Sequence, residues 1–124
     1  MNEKIRIAVR ALDSKKAMDL RLLRVDSLTS LADYFLFCSG TSVTQVKALA
    51  DECEYQMKEA GYPVSHREGR ESGNWILLDF GDLYVLQSFH YHQRIHLYKI
   101  RKLHKSFTKW KVIYSNNSKI LQWY

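Results

Sequence analysis

Apolar residues recur along this chain with two clear periods. Ile5, Ala8, Val9 and Leu12 fall at i, i+3, i+4 and i+7, which predicts a first helix that Asn2 can cap. Leu20, Leu22 and Leu23 lie between Arg21 and Arg24 and predict a strand over Asp19–Val25. Asp33–Ser39 is a short, continuous apolar run closed by Gly40, the pattern of a strand covered on both faces. Val43, Val46, Leu49, Ala50, Cys53 and Met57 then form one helical stripe. Ser42-Val43-Thr44-Gln45 fits a capping box, in which Ser42 and Gln45 satisfy each other's backbone N–H groups. Gly61 supplies the left-handed residue that ends this helix, and Pro63 prevents its resumption.

Glu68-Gly69-Arg70-Glu71-Ser72-Gly73 reads as a polar loop. Asn74–Phe80 is a strand, and Gly81-Asp82 is a tight turn into a further strand, Leu83–Leu86. The order is helix, strand, strand, helix, strand, strand. It predicts an α/β fold with a mixed sheet flanked by helices. Past Leu86, Gln93–Lys105 suits a basic helix. Lys109–Tyr114 and Lys119–Tyr124 suit a hairpin about Ser115-Asn116-Asn117-Ser118.

Composition narrows the picture. The chain's 124 residues at 46% hydrophobic content support one core and one domain. No apolar run spans a membrane, and charged Met1–Arg10 lacks a secretory signal core. Cys38 and Cys53 sit in apolar patterns without a CxxC, which points to a reducing compartment and no disulfide scaffold. Charge divides sharply. Residues 1–82 hold 11 basic and 13 acidic side chains, whereas residues 83–124 hold 8 basic and no acidic ones. Such asymmetry points to nucleic acid or another anionic surface.

Candidate chemistry is sparse. On the strand Trp75–Phe80, Ile76, Leu78 and Phe80 share one face, and Trp75, Leu77 and Asp79 share the other. Helices on both faces would make Trp75 core, the reading this strand alone favours. Otherwise Trp75 and Leu77 form a docking patch, since Trp is a favoured interface anchor. His90 and His92 could share a strand face, with His96 and His104 following. This stretch offers no Asp, Glu or Cys as a third ligand, so no metal or cofactor is expected. Gly40-Thr41-Ser42 precedes a helix N-terminus but lacks the Gly-Lys of a P-loop. Asp79 and Asp82 are the best carboxylate pair, yet their spacing crosses the turn.

Ala11-Leu12-Asp13, Lys15-Lys16-Ala17, Asp19, Ala32-Asp33-Tyr34-Phe35 and Gly40-Thr41-Ser42 together resemble the ribosomal silencing factor family, also called RsfS or Iojap. So do Val46, Ala48-Leu49-Ala50-Asp51, Glu68-Gly69 and Trp75-Ile76-Leu77-Leu78-Asp79-Phe80-Gly81-Asp82. The likeness is ordered and best over residues 5–85. It implies a nucleotidyltransferase-like topology without the catalytic carboxylates. It further implies a non-enzymatic, cytoplasmic translational repressor. Such a protein binds the large-subunit ribosomal protein L-fourteen and sterically blocks joining of the small subunit; some members form homodimers. The partner-binding residues carried over are Glu68, Gly69, Trp75, Ile76, Leu77, Leu78, Asp79, Phe80 and Asp82. That resemblance turns the reading of Trp75 from core to docking.

The family's His-Val-Phe-His stretch and later glutamates have only scattered echoes here, in Phe89-His90, Arg94 and Tyr98. Either the C-terminal third has diverged, or the reading frame changes near the codon for Val85; the abrupt loss of every acid favours the second. The expected organisation is a domain over residues 1–105 and a loosely attached basic aromatic tail over 106–124. The tail could also contact ribosomal RNA. A general RNA-binding module led by this tail, with Trp110, Tyr114, Trp123 and Tyr124 as stacking groups, is the competing function. An active nucleotidyltransferase is a third reading. It would need carboxylates converging near Gly40-Thr41-Ser42, and no Asp-x-Asp strand supplies them.

Overall fold

The computed structural model describes residues 3–24, 33–89 and, for the backbone, 111–115. Its elements are α1 (Glu3–Ser14), β1 (Met18–Arg24), β2 (Tyr34–Gly40), α2 (Val43–Glu59), β3 (His66–Glu68), β4 (Trp75–Asp79), β5 (Leu83–Phe89) and β6 (Lys111–Ser115). The six strands form one sheet in the order β3-β4-β5-β2-β1-β6. The β2–β5 pair at the centre is parallel and every other pair is antiparallel.

Both described helices pack on one face of this sheet. Ile5, Ala8 and Leu12 of α1 meet Val46, Leu49, Ala50, Cys53 and Met57 of α2 over Leu20, Leu22, Leu36, Cys38, Ile76, Leu78, Leu83 and Val85. This is the core that the two helical stripes anticipate, with Val9 at its margin. In β2 the buried residues alternate between the faces: Leu36 and Cys38 turn to the helices, and Phe35 and Phe37 to the opposite side. Burial of both Cys38 and Cys53 raises their thiol pKa values and keeps them protonated.

The end of α2 follows the expected chemistry. Gly61 has φ +93°, its N–H donates to the Lys58 carbonyl, and the Tyr62 N–H donates to the Met57 carbonyl at 2.8 Å. That double bond is a Schellman cap. The start of α2 differs from a simple capping box. Ser42 Oγ accepts from the Gln45 N–H at 3.0 Å, as expected. Gln45 instead reaches one residue further back, where its Oε1 accepts from the N–H and hydroxyl of Thr41. Its Nε2 donates to the carbonyls of Lys15 and Lys16. A glutamine spans that extra distance because Gly40 keeps the chain close to it; a Cβ at Gly40 would lie 3.2 Å from Oε1.

Three strands depart from expectation. β3 comprises three exposed polar residues and has no hydrophobic period, so only pairing with β4 defines it. β5 continues past Leu86 and keeps its register with β2 through Phe89. The ladder therefore passes Val85 without interruption. Residues Lys111–Ser115, expected within a loosely attached tail, pair with β1 as the edge strand β6. The Asn2 cap, Val25, the Gln93–Lys105 helix, the Lys119–Tyr124 strand and His90, His92, His96 and His104 all lie outside the described residues.

Candidate docking surface

Strand β4 alternates as its sequence requires. Ile76, Leu78 and Phe80 are at most 4% exposed and belong to the helix-covered core. Although the resemblance places them in a binding strand, they are sealed from any partner and only shape its backbone. Trp75, Leu77 and Asp79 are half-buried on the opposite face, where no described helix packs.

Strand pairing assembles the rest of that face. Leu86 and Tyr84 of β5 stand opposite Leu77 and Asp79, and Phe37 and Phe35 of β2 follow in the next strand. Phe35 stacks on Tyr84 with ring centroids 5.5 Å apart and meets Phe37 edge-on at 5.9 Å. Phe35, Phe37 and Leu86 are buried, so the accessible part lies at the β4 side. On β3, Glu68 pairs with Leu77 and His66 with Asp79 in register, and the His66 imidazole lies 3.0 Å from the Glu68 carboxylate. The result is a half-buried apolar strip, Trp75 and Leu77, bordered by the carboxylates of Glu68 and Asp79.

The border is held in place. Asp79 Oδ1 accepts from the Gly81 N–H at 2.8 Å. Tyr84 stands opposite Asp79 in the strand register. Its phenol is held above the usual tyrosine range, first by burial and then by the negative charges of Asp79 and Glu68. Arg67 grips Glu54 of α2 through two contacts of 2.9 and 3.0 Å, and Arg70 reaches Asp51 at 3.1 Å. These exposed pairs contribute little stability but orient β3 and the loop that follows. In that loop Gly69 lies against the Trp75 indole with φ +84°. Asp82 belongs elsewhere. Its carboxylate binds Lys4 of α1 at 2.9 Å, and its carbonyl accepts from the N–H groups of Asp33 and Tyr34. It braces the helix side of the fold and takes no part in the Trp75 strip.

Tyr84, Leu86, Phe35, Phe37 and His66 are members of this face that the sequence alone did not assign to it. Their placement depends on strand order and register, which no local pattern encodes. The other candidate sites gain no support. The N–H and hydroxyl of Thr41 and the hydroxyl of Ser42 are engaged by Gln45. Among the described residues no group of three or more His, Cys, Asp or Glu is placed to hold a metal. No described helix is long and apolar enough to cross a membrane.

Comparison with known proteins adds a direct result. The family model described as "Ribosomal silencing factor during starvation" matches residues 1–119. The ribosomal silencing factor RsfS of Bacillus subtilis is 40% identical over 105 residues, covering 83% of this chain and 87% of the relative. That of Halalkalibacterium halodurans is 38% identical over 101 residues, covering 82% and 85%. A crystal structure of a Chromobacterium violaceum protein superposes with a TM-score of 0.75 at 33% identity, covering 92% of this chain and 94% of that one. One from Bacillus halodurans gives 0.71 at 37% identity, covering 82% and 92%.

Proposed function

Since this chain belongs to the ribosomal silencing factor family, we propose that it represses translation by binding the free large ribosomal subunit through protein L-fourteen. Bound there, it sterically blocks the small subunit from joining. The supporting observation is the Trp75–Leu77 strip, half-buried and framed by Glu68 and Asp79 on the face away from both helices. An aromatic anchor contributes binding energy when a partner completes its burial. The surrounding carboxylates suit a basic ribosomal protein, because complementary charge steers encounter and fixes register.

This action needs occupancy and no turnover. Asp79 and Asp82 are committed to structural bonds on different sides of the β4–β5 turn, so they do not form a paired catalytic site. A protein with this role works in the cytoplasm, where the subunits meet.

Sucrose-gradient sedimentation tests the proposal. The protein should travel with free large subunits and be absent from assembled ribosomes, and adding it before the small subunit should reduce joining. Co-migration with assembled ribosomes, or unimpaired joining at saturating protein, would overturn it. Metal-dependent turnover of a nucleotide, lost in Asp79→Asn, would overturn the non-enzymatic part.

A further inference from the structure

The peptide between Phe80 and Gly81 sits at the tip of the β4–β5 hairpin, and its two polar groups are engaged by different elements. Its carbonyl, that of Phe80, accepts from Lys4 Nζ of α1 at 3.2 Å. Its N–H, that of Gly81, donates to Asp79 Oδ1 of β4 at 2.8 Å. A trans peptide is planar and points its carbonyl and N–H in opposite directions, so fixing one group aims the other. The neighbouring groups are already fixed by the hairpin, where the Phe80 N–H donates to the Leu83 carbonyl at 2.9 Å. Lys4 is itself held on two further sides. Its ammonium bonds Asp82 Oδ1 at 2.9 Å and lies 5.4 Å from the centre of the Tyr62 ring, whose hydroxyl donates to Glu3 at 2.8 Å. A lysine ammonium has three donors and no acceptor, so these contacts commit it to the turn.

We propose that Lys4 is a positioning residue of the docking surface: through the Phe80–Gly81 peptide it aims the Asp79 carboxylate at the border of the Trp75–Leu77 strip. The proposal rests on the L-fourteen reading above and gives it a residue from the helix-covered side of the sheet. Asp79 shares the other face with Trp75 and Leu77. The peptide joins the two sides, with Lys4 at its carbonyl and Asp79 at its N–H. A cation on the carbonyl also polarises the peptide and strengthens the bond that its N–H makes to a carboxylate. Orientation matters because a carboxylate fixes the register of a basic partner only where the partner's cation arrives. The Lys4–Asp82 ion pair alone is partly exposed and contributes little. The contact to the Phe80 carbonyl is what carries the influence of Lys4 across the sheet.

The test measures large-subunit affinity and the Gly81 amide resonance for the full chain and its variants. Lys4→Met keeps an aliphatic stem and removes the donor. It should lower affinity about three- to tenfold, and Asp79→Ala should do so by a similar factor. Lys4→Met/Asp79→Ala should bind no more weakly than Asp79→Ala alone, because both changes remove one effect. Asp82→Asn removes the charge of the ion pair and leaves the Lys4–Phe80 contact, so it should bind within about twofold of wild type. The Gly81 amide proton, bonded to a carboxylate, should resonate downfield and move upfield in Lys4→Met and in Asp79→Ala. A lysine that only braces the fold would lower the urea midpoint and leave the affinity of the folded protein unchanged, and that result overturns the proposal. So do additive affinity losses in the double variant, or an unmoved Gly81 resonance in Lys4→Met. Failure of Trp75→Ala to weaken binding, with Lys4→Met and Asp79→Ala still coupled, overturns the Trp75 anchor and leaves the positioning role standing. Absence of large-subunit binding by the unaltered chain overturns the L-fourteen reading and the docking role of Lys4 with it.

Discussion

Gly69 lies so close to Trp75 that a Cβ on the glycine would stand 2.9 Å from the indole Cε3 and overlap the Trp75 carbonyl oxygen. Its φ of +84° is also one that other residues rarely adopt. The glycine therefore sets both the path of the loop and the position of the ring. Gly69→Ala should cost about 1–3 kcal/mol of stability and displace the indole. Urea denaturation and the affinity for large subunits measure the two effects. Wild-type values for both would show that the loop moves freely away from the ring.

Trp75→Ala should leave a folded domain that binds large subunits about thirtyfold more weakly, a loss of about 2 kcal/mol. Ile76→Ala, one residue away, should behave oppositely. It opens a cavity beneath the helices and costs about 2–5 kcal/mol of stability. Circular dichroism melts paired with gradient sedimentation separate the two outcomes. Equal binding by Trp75→Ala and wild type would place the anchor elsewhere.

Gln45 secures three segments with one side chain, so its removal should exceed the loss of a cap. Ser42→Ala should cost about 1 kcal/mol. Gln45→Ala should cost more, about 1–2 kcal/mol, because Thr41 and the carbonyls of Lys15 and Lys16 lose their partner together. Gln45→Glu keeps the acceptor and loses the donor, so it should fall between wild type and alanine. Chemical denaturation of the three variants checks this order.

Gln87 faces the helices from β5, between Cys38 and Ile76 in register, and neither polar atom of its buried amide has a hydrogen-bond partner among the described residues. An unsatisfied buried amide costs about 1–3 kcal/mol. Gln87→Leu, of similar volume and without polar atoms, should raise the melting temperature. A lower melting temperature would reveal a polar partner for the amide.

Tyr84 gives the face a response to alkali. Its pKa is higher in the folded chain than in the unfolded one, so the neutral phenol contributes stability below the unfolded value of about 10. That contribution is lost as pH rises through the folded value. Tyr84→Phe should remove a late-ionising phenol from a spectrophotometric titration and flatten the fall in stability above about pH 10. Loss instead of a phenol that ionises near the ordinary tyrosine value of about 10 would show that the folded chain does not hold Tyr84 neutral.

The sequence carried the helices and the central strands because each writes its burial in a local period. Val46, Leu49, Cys53 and Met57 mark a helix face on their own, and Ser42 and Gly61 mark its ends. β3 carries no such mark: His66-Arg67-Glu68 is a strand only because β4 lies beside it. The same limit governs the docking face. The alternation of Trp75 with Ile76 was legible, whereas the approach of Tyr84, Phe35 and His66 required the strand order. Gln87 shows the converse, a polar residue at a core position that a hydrophobic period cannot anticipate. Gln45 shows how a correct local motif can still misname the atom it serves.

Pairing of β6 with β1 also fixes an order of events during synthesis. β1 is made early, yet its outer edge waits for residues 111–115, which emerge long after it. Until then a strand containing Leu20, Leu22 and Leu23 presents open N–H and C=O groups to any neighbouring chain. The hazard therefore lasts until β6 has emerged, because nascent chains gather their native contacts from the N-terminus onward. A chain cut before Lys111 should retain α1 to β5 but self-associate along β1, and light scattering of such a fragment would register that exposed edge as growth in particle size.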